Sequence, residues 1–447
     1  MKQAVLPIVL PPVQESAARV PTEPSQARVL GPVRNQAEMM VRDLDSLVPE
    51  EHPVRAIWAF LEGLDLSAFY APIKAVVDRP GRPASDPQVL LALWVYATVD
   101  GVGSARRLAR LCHEHDVYRW LCGSVPVDYH LLSDFRVVHQ GALDKLLTEI
   151  VATMMVQDLV KVNRVAQDGV RVRTSAGASS FRRRDRLGQC LEEAEAQVKR
   201  LAQEREHPDP GGSQRERAAR KRAAEERAER IREALRQLPE VEAAKEQQRR
   251  TKSKADRKKI TEARVSTTDA DARVMKVAGG GYRPAYNVQL ATDVESRAIV
   301  GVAVVNEGTD SAQGPPMEAQ VAQRTGVHPS EYLMDGAYAE REAITTLAER
   351  QVMVYSPVRL LRTTNSRRNS SPRKDDTPAV AEWRKRMETD EAKGIYKLRA
   401  ATAEWTNAQV RSHGLFPFTV RGLDKALSVV LLVAIAHNLL RWLATLA

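Results

Sequence analysis

Cysteine is scarce in this sequence: Cys112, Cys122 and Cys190 are the three present, with no C-x-x-C pair among them. That excludes a disulfide-stapled secreted scaffold and argues for a reducing compartment. Cys112, His113, His115 and Cys122 lie close together, but their spacing fits no common zinc module, and adjacent residues on one helix do not converge on an ion. No G-x-x-x-x-G-K-[ST] loop is present, and the glycines at 279 to 281 precede a strand pattern instead of opening a helix, so a phosphate cradle is excluded. Proline interrupts the opening apolar run at Pro7, Pro11 and Pro12, against a secretion signal. The apolar stretch from Ala426 to Ala436 falls well short of the roughly 20 residues that cross a bilayer. It reads as a buried core helix. No internal repeat appears. The expectation is a cytoplasmic protein with no membrane partner.

What the chain does have is length and positive charge. At 447 residues it exceeds one ordinary core, so two or three domains are expected. Lysine and arginine outnumber aspartate and glutamate to leave a formal charge of +10. The pI near 9.5 approaches the range of nucleic-acid-binding domains. Such charge concentrates the protein near any polyanion and does not choose among DNA, RNA and an acidic membrane.

Along the chain, residues 1–36 are rich in Pro, Val, Gln and Ala without a period and read as a flexible arm. A helical region follows over 37–160. DPQVLLALWVYATVDG offers Asp86 as an N-cap and Pro87 at the first helical position. Gly101 and Gly103 break that helix and Ser104 caps the next, which carries Arg106, Arg107 and Arg110. Two helices around a glycine turn fit a helix-turn-helix unit or an ordinary helical bundle, and spacing does not separate them. Another helix covers about 141–159.

From 161 to 447 the pattern becomes α/β. The Val-rich VNRVAQDGVRV predicts a strand with Asp168 near its end. It is interrupted at about 181–262 by an Arg-, Lys- and Glu-rich insertion in which Leu187, Leu191, Ala194, Val198 and Leu201 keep a coiled-coil seam. HPDPGGS at 207 to 213 supplies a turn, Ile231, Leu235 and Leu238 resume the seam, and Pro239 marks a break or kink. Two strands joined at 295–297 come next, then a helix over 316–325. EYLMDGAY is a short strand ending in Asp335, followed by a helix from Ala339 to Arg350 and the strand VMVYSPV. Residues 362–376 are polar and basic, and helical patterning returns from Lys393.

Ends of neighbouring strands are close in space, so Asp168 and Asp335 are positioned to meet, with Glu404 on a late helix as a third carboxylate. Carboxylate oxygens suit Mg²⁺, and two such ions about 4 Å apart activate an attacking oxygen and stabilise a leaving one at phosphorus. One helical turn separates Glu404 from Asn407 and about two separate it from Arg411 and from Tyr396. Asp269 and Asp271 rival Glu404 near a strand start, although turn or capping roles suit them better.

GRPASDPQVLLALWVYATVDGVGSARRLARLC and YRWLCGSVPVDYHLLSDFR in the first half, and QDGVRVRTSAGASSF, DARVMKVAGGGYRPAYNVQLATD, YLMDGAY, YKLRAATAEWTNAQVRSHGLFPFTVRGLDK and AHNLLRW in the second, carry a resemblance. In this order they resemble the bacterial insertion-sequence transposases of the DDE type, from about Val41 to Trp442. The resemblance implies an RNase H-like catalytic domain, a mixed sheet flanked by helices, behind an all-α DNA-binding domain. It makes Asp168, Asp335 and Glu404 the catalytic, metal-holding acids, with Mg²⁺ or Mn²⁺, two ions, as cofactor. Tyr396, Arg399 and Arg411 match a Tyr-Arg-Glu-Lys signature around the third acid. Arg411 stands where lysine is usual, which keeps the charge but makes the phosphate contact forked. Four residues separate Arg399 from Glu404, one more than in the tightest form of the signature, and that counts against Arg399 more than against Glu404.

The function so implied is metal-dependent cleavage at terminal inverted repeats and strand transfer into target DNA by a homo-oligomer at the bacterial nucleoid. Arg106, Arg107 and Arg110 are candidates for phosphate contact, and Arg182, Arg183 and Arg184 for nonspecific clamping. The competing functions are a nuclease that cuts without joining and a catalytically inactive, transposase-derived DNA-binding protein.

Overall fold

The structure, a computed structural model, describes residues 41–446 apart from 76–77, 79–81, 207–212, 252–256, 258–259, 359–370 and 416. The expected arm, nearly all of the 207–213 turn and most of the polar stretch at 362–376 lie outside the described residues.

Helices α1 (Pro53–Glu62), α2 (Ser67–Tyr70), α3 (Pro87–Val99), α4 (Ala105–Glu114), α5 (Asp116–Cys122), α6 (Tyr129–Val138) and α7 (Gln140–Val156) come first. The caps fall where the residue types place them. Asp86 accepts a hydrogen bond from the Gln88 amide ahead of Pro87, and Ser104 accepts from the Arg107 amide. Helix α3 is apolar all round because it is buried all round, with Leu91, Leu93 and Val95 fully inside. It forms the middle of a helical bundle. Helix α4 lies on the outside, Leu108 and Cys112 turned inward and Arg106, Arg107 and Arg110 outward.

The sheet is organised around β1 (Arg164–Arg173). It pairs antiparallel with β5 (Tyr282–Asp293) and parallel with β7 (Glu331–Leu333), which pairs parallel with β8 (Met353–Tyr355). The far edge of β5 takes both β6 (Ile299–Val305) and β4 (Arg273–Lys276). The order β6-β5-β1-β7-β8, with these directions, is that of an RNase H-like sheet. An ion pair between Arg164 and Glu331, register partners at the start of the β1–β7 pairing, helps to fix that register. A two-stranded ribbon of β2 (Phe181–Arg182) and β3 (Val265–Ser266) closes the base of the insertion.

The insertion is the helical hairpin expected: α8 (Arg184–Glu206) packs on α9 (Gln214–Thr251). Leu187, Ala194, Ile231 and Leu238 are buried in its seam, with Leu191 and Val198 beside them. Pro239 does not end α9. The seam continues on both sides of it, through Leu235, Leu238 and Val241, and this packing offsets the hydrogen bond that proline removes.

Helices α10 (Gly314–Thr325), α11 (Arg341–Glu349), α12 (Pro378–Glu388), α13 (Asp390–Arg399), α14 (Trp405–Ser412) and α15 (Leu423–Leu446) complete the chain, with a π-helical turn over Ala400–Glu404 joining α13 to α14. Among the described residues the short strands β2, β3 and β4, helix α12 and the π-helical turn lie outside the expected pattern. Helix α15 is longer than its apolar centre suggested and is long and apolar enough to cross a membrane by composition alone, yet most of it is buried inside the protein. It packs against α3, α6, α7 and β6, so the helical bundle and the sheet share one core. Its polar residues are used inside: the Asn438 side chain accepts from the Ile299 amide (2.7 Å) and donates to the Ile299 carbonyl (2.8 Å).

His437, 2% exposed on the same helix, bonds through Nε2 to the Arg297 carbonyl at 2.8 Å. Burial pushes its pKa down to about 4 from the usual 6.5. Between those values the unfolded chain binds the proton and the folded one does not, so stability rises with pH there. The contribution is fully present above about pH 6.5 and is lost as the pH falls towards 4, by about 3 kcal/mol in all. Thermal melts from pH 7.5 to 4.5 are expected to show a steeper loss for the wild type than for His437→Gln, and parallel curves would refute the assignment.

Candidate active site

Asp168 and Asp335 are placed by strand register. In the β1–β7 pairing Ala166 faces Leu333 as the last partner pair, and Asp168 and Asp335 each stand two residues further on. Both therefore follow the end of one parallel pairing by the same two steps, and the Asp335 charge reaches Asp168. The structure corrects both strand-end expectations. Asp168 lies mid-strand, since β1 runs on beside β5 to Arg173, and Asp335 lies past β7, which stops at Leu333. What the two acids share is a parallel pairing that ends two residues before each of them. The backbone turns at once after Asp335: its Oδ1 accepts from the Gly336 amide (2.5 Å), and the Tyr338 amide bonds back to its carbonyl (3.0 Å).

Asp168 is met from the late helices. One oxygen accepts from Arg399 Nη2 (2.8 Å) and the Gly169 amide (3.0 Å), and the other accepts from Asn407 Nδ2 (2.9 Å). Burial raises its pKa, the Arg399 charge and the Gly169 amide oppose that rise, and Asp310 and Asp335 add to it. Burial also works against the charge on Arg399, but Asp168, Tyr396 and Asp335 outweigh it and hold the guanidinium more firmly protonated than usual. Tyr396 is half-buried, its pKa raised first by burial, and the charges of Arg399, Asp335 and Asp168 all reach it. Asp168, Asp335, Tyr396 and Arg399 are therefore one cluster.

The π turn explains how Arg399 and Asn407 both reach Asp168. At about 100° per residue, eight α-helical steps would leave them about 80° apart around the axis. A π turn absorbs one residue, so the spacing acts as seven steps and the mismatch shrinks to about 20°. The additional residue between Arg399 and Glu404 is accommodated here. This corrects the expectation drawn from spacing: Arg399 contacts Asp168 directly, whereas Glu404, at the end of the π turn, is exposed. Among the described residues no three acidic, histidine or cysteine side chains converge as a metal cage. Arg411 is half-exposed on α14, and its Nε is buried without a hydrogen-bond partner.

The remaining candidates lie elsewhere. Arg106 stacks over Tyr129 (5.1 Å to the ring centre) and Arg110 pairs with Glu114, both on the outer face of α4. Arg182 is in β2, Arg183 pairs with Glu262 (2.7 Å) and Arg184 with Glu242 (2.6 Å), at the foot of the hairpin. Asp269 and Asp271 accept from the Gly422 and Leu423 amides and so cap the start of α15. Asn407 was expected on the face of Glu404, not as a partner of Asp168. Gly169 was read only as a sign of the strand's end near Asp168, and the polar group behind it gave no expectation. An added Cβ there would lie 2.5 to 2.8 Å from Gln289 Nε2, Asp310 Oδ1 and Asn287 Oδ1, so a side chain at 169 would displace them.

Residues 42–137 match the family described as Transposase domain (DUF772), and residues 261–439 match the family described as Transposase DDE domain. The chain belongs to the DDE transposases. Neither a curated protein nor a solved structure matches it. In this transposase Asp335 and Glu404 lie within the second match, while Asp168 and the hairpin fall between the two. DDE domains work with divalent metals, and transposases bind DNA.

If the π turn exists to absorb one residue, removing one should be tolerated. Deletion of the exposed Ala401 is expected to leave the melting temperature within a few degrees, the helix becoming regular. Insertion of one alanine after Ala401 rotates Asn407 away from Arg399 by about 100° and is expected to cost on the order of 3 kcal/mol, because a mostly buried carboxylate loses its partners. Denaturant melts of the two variants check this, and equal losses would count against it.

Proposed function

We propose that this transposase is an active enzyme that cuts DNA at the inverted-repeat ends of its element and joins the freed ends to target DNA. Asp168, Asp335 and Glu404 act as its metal-holding acids. The observation that carries this reading is the equivalent placement of Asp168 and Asp335 beyond the parallel pairing, with the Arg399 charge over them. The donor chemistry fits: hard carboxylate oxygens, with the Asp168 pKa raised by burial and the Asp335 charge adding to that rise, are what a hard divalent cation neutralises. Bound there, two such cations would activate the attacking oxygen and stabilise the leaving one.

The chain's own residues do the rest. Asp168 supplies fixed oxygens from the sheet and Asp335 from the turn just past β7, and Glu404 supplies a third from the late helix, once its exposed side chain turns inward. Arg399 balances the charge of Asp168 and, with Arg411, offers guanidinium donors to a DNA phosphate. Arg411 in place of lysine makes that grip a fork. The helical region at 37–160 is assigned to reading the terminal repeats, with Arg106, Arg107 and Arg110 on its outer face. Arg182, Arg183 and Arg184 lie at the hairpin foot for phosphate contact, and a homo-oligomer is expected to bring two ends together.

The exposed position of Glu404 favours one alternative, a transposase-derived protein that binds DNA without cutting it. Linear DNA carrying the flanking repeats, incubated with the protein in Mg²⁺, Mn²⁺ or EDTA, separates the two. The enzyme reading expects metal-dependent cleavage at the repeat ends and joined products on a target plasmid. Asp335→Asn and Glu404→Gln should each reduce both to background while the DNA is still retained. Retention without cleavage by the wild type in either metal would establish the alternative.

A further inference from the structure

The face of the sheet behind Asp168 is polar and sealed. Gln167, Asn287, Gln289, Tyr332 and Tyr338 have no exposed surface, and Asp310 has little. Gln289 lies opposite Gly169 in the β1–β5 register and is the hub of the group. Its amide oxygen accepts from Gln167 Nε2 (2.9 Å) and from the Tyr338 hydroxyl (2.6 Å). Its amide nitrogen donates to Asp310 Oδ1 (2.8 Å) and Asn287 Oδ1 (3.1 Å). Both lone pairs and both hydrogens of one side-chain amide are thus used. Asp310 also accepts from Asn287 (2.7 Å), and Arg171 balances its charge at 2.6 Å.

The group joins the two segments that carry the acids. Gln167 and Gly169 flank Asp168 on β1. Tyr338 closes the turn that begins at Asp335, and Tyr332 on β7 donates to Gln167 Oε1 (2.9 Å). Apolar side chains would fill this space at less desolvation cost, so hydrogen-bond geometry is what the polar group adds. Gly169 marks the same constraint, since any larger residue would push the hub away from β1.

We propose that Gln289 is a positioning residue which, from the back of the sheet, sets the separation of Asp168 and Asp335. The proposal rests on the metal-carboxylate reading of the site. It predicts that loosening the hub weakens metal binding without touching either acid.

The test is Mn²⁺ titration by calorimetry on the full chain, comparing the wild type with Tyr338→Phe, Gln289→Met and Asp335→Asn. Circular dichroism and melting of each variant check the fold. Tyr338→Phe removes one hydroxyl and should stay folded while weakening Mn²⁺ binding by roughly 10-fold, and Gln289→Met by up to roughly 100-fold. Cleavage by Tyr338→Phe should recover as Mn²⁺ is raised, which a merely less stable protein would not show. Should Gln289→Met fail to fold, Tyr338→Phe decides alone. Wild-type Mn²⁺ affinity in folded Tyr338→Phe, with affinity reduced in Asp335→Asn, overturns the positioning role and leaves the site intact. Unchanged affinity in Asp335→Asn overturns the metal-carboxylate reading and the proposal with it.

Discussion

Asp168 puts a carboxylate in the middle of the central strand, where neighbours on both sides and helices across the face leave it little water. A charge so placed must be met by fixed donors, or it gives up its ionised form. Here the donors are an amide of its own strand, the guanidinium of Arg399 and the side-chain amide of Asn407. Two of the three come from a helix more than 200 residues later in the chain, so the position of that helix is tied to the charge of the strand. The geometry of the site follows from this: the helical face that meets Asp168 determines where Tyr396, Glu404 and Arg411 stand.

The π turn is the consequence in the backbone. Spacing from Arg399 to Glu404, counted as α-helix, rotates Arg399 out of place, and on that count its role looked the weaker of the two. The helix instead takes up the additional residue within one wide turn and keeps Arg399 and Asn407 in line. Residue counting around a motif assumes a constant pitch. Where tertiary demand is strong, as beside a buried carboxylate, the pitch is the variable that yields.

Much of the architecture was legible because its signals are local. Asp86 and Ser104 cap helices where capping residues precede apolar periodicity, and the hairpin seam repeats at coiled-coil spacing. Strand β6 is a β-branched run, β1 carries Val165, Val170 and Val172, and β5 carries Tyr282, Tyr286, Val288 and Thr292. What stayed hidden depends on partners distant in sequence. Strand β7 is cut to three residues by where its pairing with β1 ends, and Pro239 is carried through α9 by the seam around it. Asn287 and Gln289 alternate with apolar residues, the pattern of a strand with one wet face. Yet that face is buried, and only the hydrogen-bonding partners supplied by β1, β7 and the Asp310 loop make it tolerable. Of the candidate site, Asp168, Asp335, Glu404, Tyr396 and Arg399 were named from the sequence, while the bond from Asn407 to Asp168 and the polar group around Gln289 were not.

The two faces of β1 therefore carry different kinds of constraint. On the Asp168 side the contacts are charged and partly exposed, and the buried Nε of Arg399 has no partner. Such an arrangement can reorganise when a phosphate or a cation arrives, because each contact has a substitute of similar chemistry. On the Gln289 side every donor and acceptor of the hub is spent and no water reaches it, so reorganisation there would leave buried polar groups unpaired at about 1–3 kcal/mol each. A site that must exchange partners in front needs a support that cannot exchange them behind, and β1, with Asp168 and Gly169 as consecutive residues, is where the two requirements meet.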